Sequence, residues 1–263
     1  MAERGPGMDE KALDIGYVIE TTIKVIRERL TELLLLAVIF IAVPQIVLSF
    51  LLSAMFDTAV QTGSIMPNFS FSLLIGTIVA ALLPILMQAA AVFTTVEALT
   101  GRPSDVGRSV GVALAVFLPL LGLSILMGIG LSIGFMLLFI PGLILLTYWA
   151  VTVPSFVIED TGIIGAFERS AELTKGQRWR IFGLMVLVWV VYMIIGALFS
   201  VLSLGNVTAP TSTQPFSLIG VIFNTLIAMI SAIVSSVGVA VLYVHLRDLK
   251  EGTSPERISD VFG

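Results

Sequence analysis

Charge is missing from four long stretches of this chain, and that absence limits how the chain can fold more than any other feature does. No Asp, Glu, Lys or Arg occurs from Leu33 to Phe56, Thr58 to Val96, Ser109 to Ile158, or Ile181 to Leu246. A helix needs about 20 apolar residues to cross the roughly 30 Å hydrocarbon core of a bilayer. The first interval holds one such crossing. The second opens with the polar stretch Thr58–Ser70 and then holds one crossing near Phe71–Phe93. The third is long enough for a hairpin. Its glycine cluster Gly128, Gly130 and Gly134 is the expected turn, with spans near Val110–Gly130 and Gly134–Val157. The fourth is divided by the polar, Pro/Thr-rich segment Gly205–Pro215, with spans near Ile181–Leu204 and Leu218–Val244.

The expected fold is therefore an all-α integral membrane protein with six transmembrane helices. An N-terminal tail and interfacial helix would occupy residues 1–32, the transmembrane domain 33–246, and a tail 247–263. Composition agrees. Of the 263 residues, 57 % are hydrophobic and 12 % charged, against about 45–50 % and about 25 % in a soluble domain. This excludes a soluble globular domain, a disordered chain and a nucleic-acid binder with a basic face. With no Cys and a single His, disulfide frameworks, thiolate nucleophiles and Cys- or His-rich metal sites are excluded too, and no cofactor is expected.

Orientation follows from the basic residues. Arg4, Lys11, Lys24, Arg27 and Arg29 precede span one, and Arg102 and Arg108 join spans two and three. Arg169, Lys175, Arg178 and Arg180 join spans four and five; Arg247, Lys250 and Arg257 follow span six. These are all 14 Lys and Arg residues of the chain, and the three opposite connections have none. The positive-inside bias then places both termini in the cytoplasm, as an even number of spans requires. Every acidic residue except Asp57 falls on the same side. The N-terminus does not read as a cleavable signal, because apolar sequence begins late and then runs too long. Asn206-Val207-Thr208 matches a glycosylation sequon, without other support.

Three amphipathic segments lie on the charged side. From Ala12 to Leu30, Ile15, Val18, Ile19, Thr22, Val25, Ile26 and Leu30 recur at helical spacing. A second segment runs from Gly162 to Lys175, with Asp160 or Thr161 as N-cap, Ile163, Phe167 and Ala171 inward, and Gly176 as the stop. Trp179 then stands where an interfacial aromatic belongs. A third starts at Ser104, with Val106 and Val110 facing the bilayer. Such helices lie flat at the headgroups. Each precedes an odd-numbered span, and the later two share Glu97…Arg108-Ser109 and Glu159…Arg169-Ser170. That is the pattern of three repeated helical hairpins, each led by an interfacial helix.

Little chemistry is available inside the spans. One charge at a helix centre costs roughly 2.5–3.5 kcal/mol on insertion scales, and membrane proteins accept that cost for proton relays, ion sites or counter-ions. Its absence argues against ion-coupled transport and intramembrane proteolysis, and His245, at the end of span six, is left as an interfacial residue. The neutral polar residues near prolines, Gln45 after Pro44 and Gln88 after Pro84, read as glue at kinks. Ala228, Ala232, Ser236 and Ala240 give span six a close-packing face, with Asn224 in the same register. The candidate contacts for lipid headgroups or a partner are the inner-rim residues Glu97, Arg108, Glu159, Arg169, Lys175 and Arg178. Glu159 with Arg169 is also a candidate structural pair.

The run from Pro154 to Gly176 (PSFVIEDTGIIGAFERSAELTKG), the tail Leu242–Gly252 (LYVHLRDLKEG) and the opening Asp14-Ile15-Gly16 resemble a known pattern. It is that of the six-span membrane domain fused to bacterial glycerophosphoryl diester phosphodiesterases and of related stand-alone inner-membrane proteins. The resemblance implies a bacterial inner-membrane location and a lipid-related setting. It implies no hydrolysis, because nothing here corresponds to the soluble catalytic barrel of the fused members. The expected function is a non-enzymatic integral membrane protein whose partners are the bilayer, anionic lipid headgroups or another membrane protein. The alternative is a transporter, channel or lipid scramblase for an uncharged or lipid-like substrate.

Overall fold

The computed structural model describes residues 13–62, 71–103, 105–204 and 218–252. Expectations for Arg4, Lys11, Ser104, Arg257, the Gly205–Pro215 loop and its sequon, and the side chain of Asp57 lie outside the described residues. Every regular element among the described residues is helical: α1 (Ile15–Glu28), α2 (Leu30–Ala37), α3 (Val43–Thr62), α4 (Phe71–Leu99), α5 (Val106–Ala115), α6 (Phe117–Leu137), α7 (Phe139–Tyr148), α8 (Thr152–Glu159), α9 (Gly162–Thr174), α10 (Arg178–Leu204) and α11 (Leu218–Glu251). A π-helical turn, Val38–Ala42, links α2 to α3. Six stretches are long and apolar enough to cross a membrane: Leu30–Ala54, Leu74–Leu99, Phe117–Leu137, Phe139–Glu159, Arg178–Leu198 and Gly220–Glu251. The chain is a multi-pass membrane protein.

Its helix breaks follow from backbone chemistry. Pro119, Pro141 and Pro154 do not kink long helices; each is the third residue of a new helix, α6, α7 or α8. A proline there removes an N–H that has no intrahelical partner anyway. Pro44 follows the π turn, a local rewinding that membrane helices use where proline removes a backbone bond. Pro84 alone of these prolines sits well inside a helix, α4.

The hairpin of the third interval turns later than the glycines suggest. Helix α6 runs through Gly128, Gly130 and Gly134 and stops only at Leu138, an extended residue with φ −165° and ψ 145°. Gly130 and Gly134 instead lie where α6 packs closely on the residues that follow it. A Cβ at Gly134 would meet Leu145 Cδ1 at 2.8 Å and the Gly142 Cα at 3.2 Å, and one at Gly130 would strike the Trp149 ring. In lipid the hydrophobic effect does not drive helices together, so small residues mark where backbones approach. Reading the cluster as a turn applied the rule for water-soluble chains.

The centre of the bundle is α4 against α11 and α2. Leu33, Leu36, Met87, Ala89, Ala90, Ala91, Val237 and Ala240 are all fully buried there, and α4 also packs on α3 and α5. The small residues expected on span six lie in this contact at Ser236 and Ala240, while Ala228 and Ala232 are half-buried. Gln45 Nε2 donates to Asn224 Oδ1 at 3.1 Å, tying α3 to α11. Helix α10 is more peripheral; Tyr192 OH donates to the Ser231 carbonyl of α11 at 3.1 Å, and much of the rest of its surface is exposed and apolar.

Helix α1 has the expected amphipathic course, but Val18, Thr22 and Val25 are its buried line, and Ile19 and Leu30 are exposed. Val106 and Val110 of α5 pack against the protein core, not outward to the bilayer as their sequence position suggested. We predict that Gly134→Val lowers stability by about 1–3 kcal/mol, the usual cost of overpacking. Gly128→Ala, where an added Cβ meets nothing within 4 Å, should leave it unchanged. Thermal unfolding in detergent measures both.

Candidate functional site

The charged segments that the spans separate in sequence meet at one end of the bundle. Helix α1 joins them by both of its ends. At its start Leu13 N donates to Gln177 Oε1 at 3.0 Å, and Arg180 Nη1 donates to the Leu13 carbonyl at 2.9 Å. Asp14 caps the helix by accepting from Tyr17 N at 3.1 Å, and its own N–H donates to His245 Nε2 at 3.4 Å. The Tyr17 and His245 rings lie 4.8 Å apart. Just past the other end, Arg29 Nη2 donates to the Arg102 carbonyl at 3.0 Å. The N-terminal helix thus contacts the connection before α5, the connection before α10 and the end of α11. His245 serves this docking.

Two carboxylates organise the layer. Glu159 closes α8, where Asp160 takes a left-handed conformation (φ 50°) and lets α9 fold back on α8. Ser170 of α9 fixes the return: its hydroxyl donates to the Tyr148 carbonyl at 2.8 Å and accepts from Val151 N at 3.2 Å. Arg169 then reaches Glu159, with Nε donating to Oε2 at 2.7 Å. Tyr243 OH donates to the other oxygen, Oε1, at 2.7 Å. Arg169 also pairs with Glu251 and, at 3.3 Å, with Glu172. Arg247 Nε pairs with Glu251 at 2.9 Å. Burial opposes the charge on Arg169, but the hydrogen bonds and fields of Glu159 and Glu251 outweigh it, so its pKa lies above the ordinary value. The expected Glu159–Arg169 pair is present, as the centre of a latch between α8, α9 and α11.

Glu97 occupies a parallel position at the end of α4. Arg108 Nη1 forms an ion pair with its Oε1 at 2.9 Å, and the next residue, Ser109, shares a 2.8 Å hydroxyl–hydroxyl bond with Thr94. Both serines, Ser109 and Ser170, are completely buried. The two sites differ in exposure and in satisfaction. The Arg108 side chain is 60 % exposed against 19 % for Arg169. Its guanidinium stands over the Phe93 ring, 5.4 Å from the centroid. Glu97 Oε2 is buried without a hydrogen-bond partner, whereas both oxygens of Glu159 are bonded.

The remaining two candidates diverge. Arg178 lies on the Tyr148 ring at 3.5 Å and donates to the Tyr148 hydroxyl at 2.7 Å, so it braces the start of α10. Lys175 is exposed at the α9–α10 elbow, beside Gly176 (φ +85°). Sequence reasoning missed Tyr243, Arg247 and Glu251 as partners of Glu159 and Arg169. Their signal was the four-residue spacing that puts all three on one face of α11. Among the described residues no group of three or more His, Cys, Asp or Glu is arranged to hold a metal.

A family model described as a domain of unknown function, DUF7847, matches residues 104–248, more than half of the chain. The match takes in Arg108, Glu159, Arg169, Lys175 and Arg178. No curated protein and no solved structure matches.

Tyr243→Phe should cost about 1–3 kcal/mol, because it leaves a mostly buried carboxylate oxygen without its donor. Arg169→Met should cost at least as much. The double variant should cost clearly less than the sum, because both act through Glu159. Equilibrium unfolding of the four proteins checks the coupling.

Proposed function

We propose that this chain, which belongs to the DUF7847 family, is a non-enzymatic protein of the bacterial cytoplasmic membrane that holds phosphate-bearing lipid headgroups at the inner leaflet. One observation carries this reading. The amphipathic and charged segments are bonded into a single layer at one end of the bundle, while the four intervals that supply the spans contain no Asp, Glu, Lys or Arg. The positive-inside bias assigns that layer to the cytoplasmic side. Within it, Glu159, Arg169 and Arg178 are committed to internal bonds, and Arg108 and Lys175 extend to the surface. Cations at headgroup depth attract anionic lipid by about 1 kcal/mol each.

The paired sets Glu97–Arg108–Ser109 and Glu159–Arg169–Ser170 are, on this reading, copies of one unit of interfacial helix and hairpin. The resemblance of residues 154–176 to the membrane domain of glycerophosphoryl diester phosphodiesterases supports the lipid setting. Gln45 and Asn224, two polar groups that a transport path would use, are bonded to one another.

Native mass spectrometry of the gently extracted protein tests the proposal. It should carry phospholipid beyond the bulk level, and Arg108→Ala with Lys175→Ala should lower the retained lipid about thirtyfold, from the loss of two surface cations at about 1 kcal/mol each. Bulk-like lipid in both proteins would overturn the reading, as would flux of lipid or neutral solutes through protein-containing liposomes.

A further inference from the structure

The difference between the two Glu–Arg sites points to a ligand. At Glu159 the oxygen not taken by arginine is filled by the Tyr243 hydroxyl. At Glu97 the corresponding oxygen, Oε2, has no donor, although only 6 % of the side chain is exposed. A buried carboxylate oxygen without a donor costs about 1–3 kcal/mol. Arg108 relieves it on one side only, through a single Nη1 contact at 2.9 Å.

The surroundings match one class of group. A carboxylate beside the Phe93 ring is suited to an ammonium, by charge pairing and by cation–π attraction. The Arg108 guanidinium now occupies both elements as a stand-in cation. It sits in the first turn of α5, where the Asp105 N-cap makes no side-chain hydrogen bond to the amides. A guanidinium is suited to phosphate, which it can meet with two parallel N–H bonds.

We propose that Glu97, Phe93 and Arg108 form a site for an ethanolamine phosphate group, in which the ammonium takes Glu97 and the Phe93 face while Arg108 turns to the phosphate. Binding exchanges one ion pair for two and gives Glu97 Oε2 its donor. The exposure of Arg108 makes the turn inexpensive. This deepens the headgroup reading, on which it rests, by naming the headgroup.

The test is competition. The full-length protein is reconstituted in nanodiscs with equal phosphatidylethanolamine and phosphatidylglycerol, and the retained lipids are identified by native mass spectrometry. Wild type should retain the ethanolamine lipid over the glycerol lipid about tenfold, the factor a charge-assisted hydrogen bond carries. Glu97→Gln should bring the ratio to that of the bulk. Phe93→Leu, which keeps the apolar bulk, should reduce the preference about threefold. Soluble phosphoethanolamine that displaces the lipid supports a headgroup site. Soluble phosphoethanolamine that binds with no lipid retained supports the same chemistry with a free ligand. A preference unchanged in both Glu97→Gln and Phe93→Leu overturns this site and leaves the headgroup reading standing. Bulk-like lipid in every protein, with no phosphoethanolamine bound, defeats both.

Discussion

Hydrocarbon accepts neither an ionised side chain without a partner nor a backbone group without a hydrogen bond. Much of the structure answers that constraint. The four apolar intervals carry no charge, so the charged residues are left to the connections and to the ends of the spans. There they would sit near lipid, at a depth where water is scarce, and they bond to one another. Helix α1 reaches from the Gln177–Arg180 connection to Arg102, and the latch around Glu159 ties α9 to the last turns of α11. The same constraint shapes the breaks between helices. Pro119, Pro141 and Pro154 fall in first turns, where no N–H is missed, and glycines let α6 and α7 approach.

The latch and the Glu97 site show how similar sequence can serve different ends. Each places a glutamate at the end of a helix, an arginine about ten residues on, and a buried serine after it. Around Glu159 every strong acceptor is matched, and the environment holds Arg169 charged. Such a network favours rigidity, since removing one member strands the others. Around Glu97 the arginine is exposed and one oxygen is unmatched. An incomplete site costs stability, and binding is the natural way to recover it.

Much of this was legible in the chain. The six apolar stretches, the confinement of cations to alternate connections and the Glu159–Arg169 pair follow from residue type and spacing alone. The turn at Leu138 was not legible, because no polar residue marks it and the glycines beside it serve packing. Nor was the fold-back of α9 on α8, which depends on the left-handed Asp160 and on Ser170 bonding across to Tyr148 and Val151. The partners Tyr243, Arg247 and Glu251 were present as a four-residue repeat. Choosing them over other exposed faces required knowing which helix α9 packs against.

The account stands or falls on the claim that the charged connections and tail share one side of the bilayer. Because the chain has no cysteine, Arg102→Cys, Lys175→Cys and Lys250→Cys each introduce a single reporter. In intact cells all three should resist a membrane-impermeant maleimide, and all three should react once the membrane is opened. Labelling of one or two of them from outside, with the rest protected, would break the layer apart and contradict the account.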